Sequence, residues 1–323
     1  MRVLVTGGAG FIGSNYVRKA LLGAYPGLAD AEIVVLDALT YAGNEQNLAV
    51  VNGHQRLRFV KGDIRDRAAV LESMRGADLV VHFAAESHVD RSIAGSAEFV
   101  LTNVAGTQTL LQAALETGVQ RFVHVSTDEV YGSIDEGAWT EDFPLRPNSP
   151  YAASKAASDL LVRAFHRTHG LPVVITRCSN NYGHFQYPEK VIPLFVTNLL
   201  DGRPVPLYGD GLNVREWLHV DDHCRAVQLA AERGRPGEVY NVGGGVELTN
   251  LELTRRLLDV VGAGPEMVRQ VEDRKGHDRR YALDFTKARE ELEFRPEVDF
   301  DEGLAQTVKW YADNRAWWEP LKP

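Results

Sequence analysis

A short apolar strand, Arg2–Thr6, runs straight into Gly7-Gly8-Ala9-Gly10-Phe11-Ile12-Gly13, and a helix-period run from Ser14 to Leu22 follows, carrying Val17, Leu21 and Leu22. No other stretch constrains the fold as strongly. The glycines permit a tight turn and let the backbone approach an anion, which the amides and dipole of the helix start then hold. A glycine pattern alone is a weak signal, but between a first strand and a first helix it predicts a dinucleotide-binding βαβ unit. The next strand, Glu32–Asp37, ends on an acid at the distance expected of a ribose-binding carboxylate. Asp37 would accept from the ribose hydroxyls and repel a 2′-phosphate, which favours NAD over NADP.

The alternation continues. Leu57–Val60 leads into Gly62-Asp63-Ile64, where Asp63 is placed to accept from the adenine amino group. A strand over Asp78–Ala85 ends on Ala84 and Ala85, small enough for a cofactor to lie against the sheet edge. Glu86-Ser87-His88 should then project into the cleft, with His88 read as structural rather than catalytic. A helix is predicted over Phe99–Leu115, and strands over Arg121–Val125, Val173–Thr176 and Glu238–Val242. Continuous apolar strands alternating with helices predict an α/β fold, a Rossmann-type doubly wound parallel sheet. After Arg177 the alternation loosens, and Pro188, Pro193, Pro204 and Pro206 break the chain into loops and short helices. The expected division is a dinucleotide-binding domain over 1–177, with later strands returning from about 215–245, and a smaller substrate-binding lobe mainly over 178–323.

Composition narrows the function classes. The 323 residues carry a net charge of -9, with 44% hydrophobic and 24% charged residues. That is a soluble globular balance, and it argues against nucleic acid or an anionic membrane as partner. No apolar run reaches membrane-spanning length, and no signal segment is visible, so a cytoplasmic protein is expected. Cys178 and Cys224 lack metal-ligand spacing and read as small buried side chains of a reduced compartment, so no metal is expected. Trp310, Trp317 and Trp318 read as packing residues.

Two constellations carry chemistry. In the first, Pro150 opens a helix in which Tyr151 and Lys155 share one face at i,i+4 spacing. An ammonium beside the phenol, assisted by the positive nicotinamide, is expected to lower its pKa, so that a tyrosinate takes the proton from a substrate alcohol as hydride leaves for NAD. Thr127 would hydrogen-bond the same alcohol. The second is Ser126-Thr127-Asp128-Glu129, which leaves two acids where a buried strand ends. Ligands of open α/β sheets bind at that end.

On Gly7-x-x-Gly10-x-x-Gly13, Thr127 and Tyr151-x-x-x-Lys155 the chain resembles the extended short-chain dehydrogenase/reductase family. Within it the chain is similar to the dTDP-glucose 4,6-dehydratases in the blocks Phe83–Ser92, Ser126–Gly132, Arg177–Gly183, Arg215–Asp222 and Arg274–Tyr281. The resemblance implies oxidation of a hexose at C4, removal of the C5 proton by Glu129, protonation of the departing C6 hydroxyl by Asp128, and return of hydride to C6. Asp128 would have to stay protonated, through desolvation and its carboxylate neighbour. The implied cofactor site comprises Gly7, Gly10, Phe11, Ile12, Gly13, Asp37, Thr40, Asp63, Ile64, Ala84, Ala85, Thr102, Ser126, Tyr151, Lys155 and Asn181. The implied nucleotide-sugar site comprises Ser87, Thr127, Asp128, Glu129, Asn180, Glu189, Lys190, Pro206, Tyr208, Arg215, Asn250, Arg274 and His277, with Arg215 and Arg274 gripping the diphosphate. The family pairs the helices Phe99–Leu115 and Tyr151–His169 into a homodimer. Three alternatives stay open: an NAD-dependent 4-epimerase, a decarboxylase, and a non-catalytic NAD-binding scaffold. Asp128-Glu129 speaks against the first two, and Thr127, Tyr151 and Lys155 together against the third. Thymine and uracil are not distinguished.

Overall fold

A computed structural model describes residues 1–322. The strands are β1 (Arg2–Thr6), β2 (Glu32–Asp37), β3 (Leu57–Lys61), β4 (Leu79–His82), β5 (Arg121–Thr127), β6 (Val173–Cys178), β7 (Asn180–Tyr182), β8 (Val205–Tyr208), β9 (Val214–His219), β10 (Val239–Val242), β11 (Val246–Thr249) and β12 (Val268–Val271). Seven of them form one sheet in the order β10-β6-β5-β4-β1-β2-β3, every neighbouring pair parallel. The principal helices are α1 (Phe11–Leu21), α2 (Arg67–Met74), α3 (Val89–Ala94), α4 (Ala97–Phe99), α5 (Thr107–Thr117), α6 (Pro150–His169), α7 (Val191–Leu200), α8 (Val220–Arg233) and α9 (Asn250–Val261).

The unbroken apolar runs of β1 and β2 follow from burial on both faces. Val3, Val5, Ile33 and Val35 enter one core with Tyr16 and Val17 of α1 and Val227 of α8. Leu4, Val34 and Leu36 enter the other, with Val70 of α2, Leu110 of α5 and Val162 of α6. Successive side chains on a strand point to opposite faces, so each run serves two helical layers at once. Strand order reverses between β1 and β4, and the carboxyl ends of those strands open a crevice there.

The structure redraws several boundaries. Helix α1 starts at Phe11, three residues before the Ser14–Leu22 run, because the glycine turn is itself the helix entrance; Leu22 is its C-cap and is 66% exposed. Strand β4 covers only the centre of Asp78–Ala85 and stops at His82, where the chain leaves the sheet for the crevice. The predicted helix Phe99–Leu115 contains a π-helical stretch, Val100–Gly106, between α4 and α5. Such stretches recur at functional sites, and Thr102 within this one lines the cleft. Of the strands within 215–245, β10 joins the edge of the large sheet, whereas β9 pairs with β7 and β11 in a separate three-stranded sheet.

The second lobe has its own core, which includes Phe195, Trp217, Leu257, Leu304, Trp317 and Trp318. Trp310 packs on Phe185 at 4.5 Å between ring centres, so all three C-terminal tryptophans are packing residues. Cys178 and Cys224 are free and buried. Among the described residues no helix is long and apolar enough to cross a membrane, and no group of side chains has the arrangement of a metal site.

Candidate active site

The glycine turn is shaped for an anion. Gly7 has φ +70°, and a Cβ there would lie 2.6 Å from the Ala84 nitrogen; a Cβ at Gly13 would lie 2.2 Å from the Gly7 carbonyl oxygen. Only glycine tolerates that approach. Helix α1 has no side-chain N-cap and no acid in its first turn, which leaves its amides and dipole for a bound pyrophosphate. Asp37 stands at the end of β2, where Oδ2 accepts from the Ala9 amide at 2.9 Å and Oδ1 from the Leu39 amide at 2.8 Å. Burial raises its pKa against the pull of those two amides. Each oxygen keeps a further lone pair, so Asp37 braces the turn and still faces the ribose position. Asp63 is engaged by Arg65, with Nη2 2.7 Å from Oδ2. Burial would raise its pKa, but the bonds from Arg65 outweigh that and hold the carboxyl low. Cradle, dipole and ribose acid together fit a dinucleotide.

The acids follow directly. β5 ends on Thr127, whose Oγ1 accepts from the Glu129 amide at 3.3 Å and caps the single turn Asp128–Tyr131. The same hydroxyl donates to Asp128 Oδ1 at 3.2 Å, while Asp128 Oδ2 is buried without a partner. Burial, then Glu129 and Glu216, push the Asp128 pKa well above the ordinary carboxyl value, against Arg215 and Thr127. Burial raises Glu129 too, and three cations, Lys190, Arg215 and Arg274, oppose that rise without cancelling it. Both carboxyls are raised, but Asp128 further and without three opposing cations, so 128 is the member of the pair better placed to hold a proton.

Pro150 opens α6 and Ser149 caps it, accepting from the Ala152 amide at 3.1 Å. Tyr151 and Lys155 are both buried beside this turn. Lys155 Nζ donates to the Val125 carbonyl at 2.8 Å, and burial lowers its pKa to about 8 against Asp159 and Cys178. Among the protein's own groups the Tyr151 phenol is pushed up rather than down. Burial first, then Glu129, Cys178 and Asp128, push the phenol well up, and Thr127 is the neighbour that opposes them. Desolvation and two nearby carboxylates set that direction, and the positive nicotinamide of a bound NAD is the charge that would oppose it. Beneath the turn lies a group that sequence reasoning missed. Arg177 Nε donates to Asp159 Oδ2 at 2.8 Å, and Arg177 Nη1 donates to the Tyr131 hydroxyl at 2.8 Å. His124 Nε2 stands 3.3 Å from Asp159 Oδ1. These partners come from β5, β6 and α6, so no local pattern announces them.

Across the crevice, Arg215 is buried, and its Nη2 donates to the Asp278 carbonyl at 2.9 Å. Its guanidinium lies 4.2 Å from the Tyr281 ring centre, and Tyr281 donates to Asp278 Oδ2 at 2.6 Å. Sequence reasoning missed Asp278 and Tyr281 as the mount for Arg215. Lys190 Nζ donates to the Ser87 carbonyl at 2.6 Å, and Asn180 Oδ1 is buried with no partner. Arg274 lies over the Tyr208 ring at 5.4 Å, and Tyr208 meets His277 edge-on at 6.2 Å. Asn250 begins α9 after the capping residue Thr249. His88 caps α3 by accepting from the Arg91 amide at 3.3 Å, and burial keeps its pKa low, which fits a structural histidine. Phe185 holds φ 66°, in the left-handed region, beside Gln186 at the cleft wall.

Every residue expected at the cofactor and sugar sites lines this one cleft of about 460 Å³. Asp90, Gln186, Tyr187 and Trp217 line it as well, unforeseen from the sequence. A dinucleotide cradle, a Thr-Tyr-Lys constellation and a pair of acids in opposed environments define an enzyme of the short-chain dehydrogenase/reductase class. A family model described as GDP-mannose 4,6 dehydratase matches residues 4–307. The dTDP-glucose 4,6-dehydratase of Streptomyces antibioticus is 64% identical over 323 residues, covering 100% of this chain and 96% of that protein. That of Streptomyces niveus is 62% identical over 322 residues, with the same coverage. A crystal structure of a dTDP-glucose 4,6-dehydratase from Streptomyces venezuelae with NAD bound superposes with a TM-score of 0.99 at 66% identity, each chain fully covered. A UDP-glucose 4-epimerase from Thermotoga maritima superposes at 0.89 with 34% identity, over 98% of this chain and 100% of that one. The chain belongs to the GDP-mannose 4,6 dehydratase family and, within it, to the dTDP-glucose 4,6-dehydratases.

Proposed function

We propose that the protein binds NAD and converts dTDP-glucose to dTDP-4-keto-6-deoxyglucose, a hydro-lyase reaction of deoxysugar biosynthesis. The observation that carries this reading is the Asp128–Glu129 pair, one acid facing carboxylates and the other facing three cations, directly after Thr127. NAD, when bound, takes the C4 hydride and later returns it to C6. Tyr151, beside Thr127, accepts the C4 hydroxyl proton, with Lys155 close behind it. Oxidation at C4 acidifies the C5 hydrogen, which Glu129 removes. Asp128 gives its proton to the C6 hydroxyl, which leaves as water. Glu129 restores a proton to C5 as C6 receives hydride, and the proton held on Tyr151 passes through solvent to Asp128, so cofactor and enzyme end as they began.

A 4-epimerase shares the oxidation step but needs neither acid, so the pair favours dehydration. Arg215, Arg274, Lys190 and the unpartnered Asn180 Oδ1 supply the polar surface that a sugar diphosphate requires. Residues 1–177 are assigned to cofactor binding and most of 178–323 to the nucleotide sugar. A cytoplasmic homodimer completes the reading. Its support is a set of exposed apolar side chains, Val100, Leu101 and Leu160, on helical segments that pack side by side. Separate incubations with dTDP-glucose and UDP-glucose, followed by absorbance of the 4-keto product, test the assignment. A 4-keto-6-deoxy product from dTDP-glucose is expected. A 4-epimer, or no conversion despite bound NAD, refutes it.

A further inference from the structure

The segment just after β4 crosses from the cofactor side and is tied to the second lobe at three points. Lys190 Nζ donates to the Ser87 carbonyl at 2.6 Å. Arg91 Nε donates to Glu189 Oε2 at 3.1 Å, and its guanidinium lies 3.8 Å from the Tyr41 ring centre. Asp90, in the first turn of α3, meets Arg274 side-on: Nη2 donates to Oδ2 at 3.0 Å, and Nε lies 2.7 Å from Oδ1. The Nε contact is off the N–H axis, so the Nη2 bond is the directed one.

A guanidinium has two usable edges. Asp90 takes the Nε–Nη2 edge, and among the described residues no hydrogen bond engages Nη1. Both residues line the cleft, with side chains 23% exposed for Arg274 and 38% for Asp90. Arg274 lies on the loop after β12 and also rests on the Tyr208 ring, so the aspartate fixes the rotation of its planar head. A fork held from one side presents the other in a set direction, which cuts the ordering cost of gripping a phosphate.

We propose that Asp90 is a positioning residue for the substrate's diphosphate, holding the Nε edge of Arg274 so that its Nη1 edge faces the cleft. This rests on the reading of Arg274 as a diphosphate clamp. The contact also links α3 of the cofactor side to the substrate loop, so the clamp is set only when the two sides are joined.

A double-mutant cycle on the NAD-loaded enzyme tests the proposal, with thymidine diphosphate as the calorimetric ligand. Asp90→Asn should weaken binding about tenfold, the loss of roughly one charge-assisted contact. It should raise the KM for dTDP-glucose in proportion and leave kcat, NAD content and melting temperature near wild type. Arg274→Gln should weaken binding further, and adding Asp90→Asn to it should cost nothing more. Unchanged or tighter binding by Asp90→Asn would overturn the proposal, the latter marking Asp90 as a competitor for the fork. Additive losses would overturn it too. If Arg274→Gln itself binds normally, the clamp reading falls, and this inference falls with it.

Discussion

Asp128 and Glu129 are adjacent, nearly equal in acidity in a free peptide, and set apart chiefly by what surrounds them. Asp128 looks onto Glu129 and Glu216, Glu129 onto Lys190, Arg215 and Arg274. Asp128→Asn should still oxidise C4 and accumulate reduced cofactor, while loss of water slows about 100-fold or more. Rapid-quench analysis that found normal turnover would remove Asp128 from the acid role. The same variant reports on stability. A carboxyl whose folded pKa is raised stabilises the fold fully below its unfolded value and loses that contribution as pH rises through the folded value. Asparagine does not titrate, so the melting temperature of Asp128→Asn minus that of wild type should grow from pH 5 to pH 8. A gap that stays flat or shrinks would contradict a buried, proton-holding Asp128. The identity of these site residues was legible because each falls at a strand end or on one face of a helix. Their protonation was legible only in part. Neighbouring acids and desolvation predicted the rise at Asp128, and the same effects raise Tyr151, leaving the nicotinamide charge to lower it.

Elements with strong local rules were read to the residue. β1 and β2 carry the boundaries expected of continuous apolar runs, because nothing competes with burial on two faces. The errors fall where chemistry overrides periodicity. The helix start moves back into the glycine turn, β4 ends early to open the crevice, and Val100–Gly106 widens into a π-helix. Arg215 was recognisable as a cation of the site, but its mount on Asp278 and Tyr281 was not, because those residues lie more than sixty positions away. The glycine turn gives the sharpest prediction at this scale. In Gly13→Ala the new Cβ would meet backbone, the Gly7 carbonyl oxygen at 2.2 Å, which no side-chain rotation relieves. Either α1 or the turn must shift, and the amides that hold pyrophosphate shift with it. The variant should fold but lose NAD affinity tenfold or more, read by cofactor content after purification and by titration. Full NAD occupancy would show that the turn is not the anion cradle.

At the scale of the whole molecule the outer face of the helical layer is the surface on which the proposed assembly turns. Ile93 is 38% exposed, Val100 52%, Leu101 46% and Leu160 56%, on α3, the π-helical stretch and α6. A helix apolar on both sides is buried twice or used for association, and the inward sides of α6 and of α5, which continues the π-helical stretch, already fill the sheet core through Val162, Leu110 and Leu111. The proposed homodimer covers the outward sides, and a two-fold interface would place the patch against itself. Leu160→Glu should therefore set a carboxylate opposite its own copy and desolvate it. Sedimentation should then shift from about twice the chain mass to a single chain of 35.8 kDa at micromolar concentration. Leu212 is also apolar and 44% exposed, but it sits on the loop between β8 and β9 in the second lobe. Leu212→Glu should leave the mass unchanged. A wild-type monomer, or dissociation caused equally by both substitutions, would remove these helices from any interface.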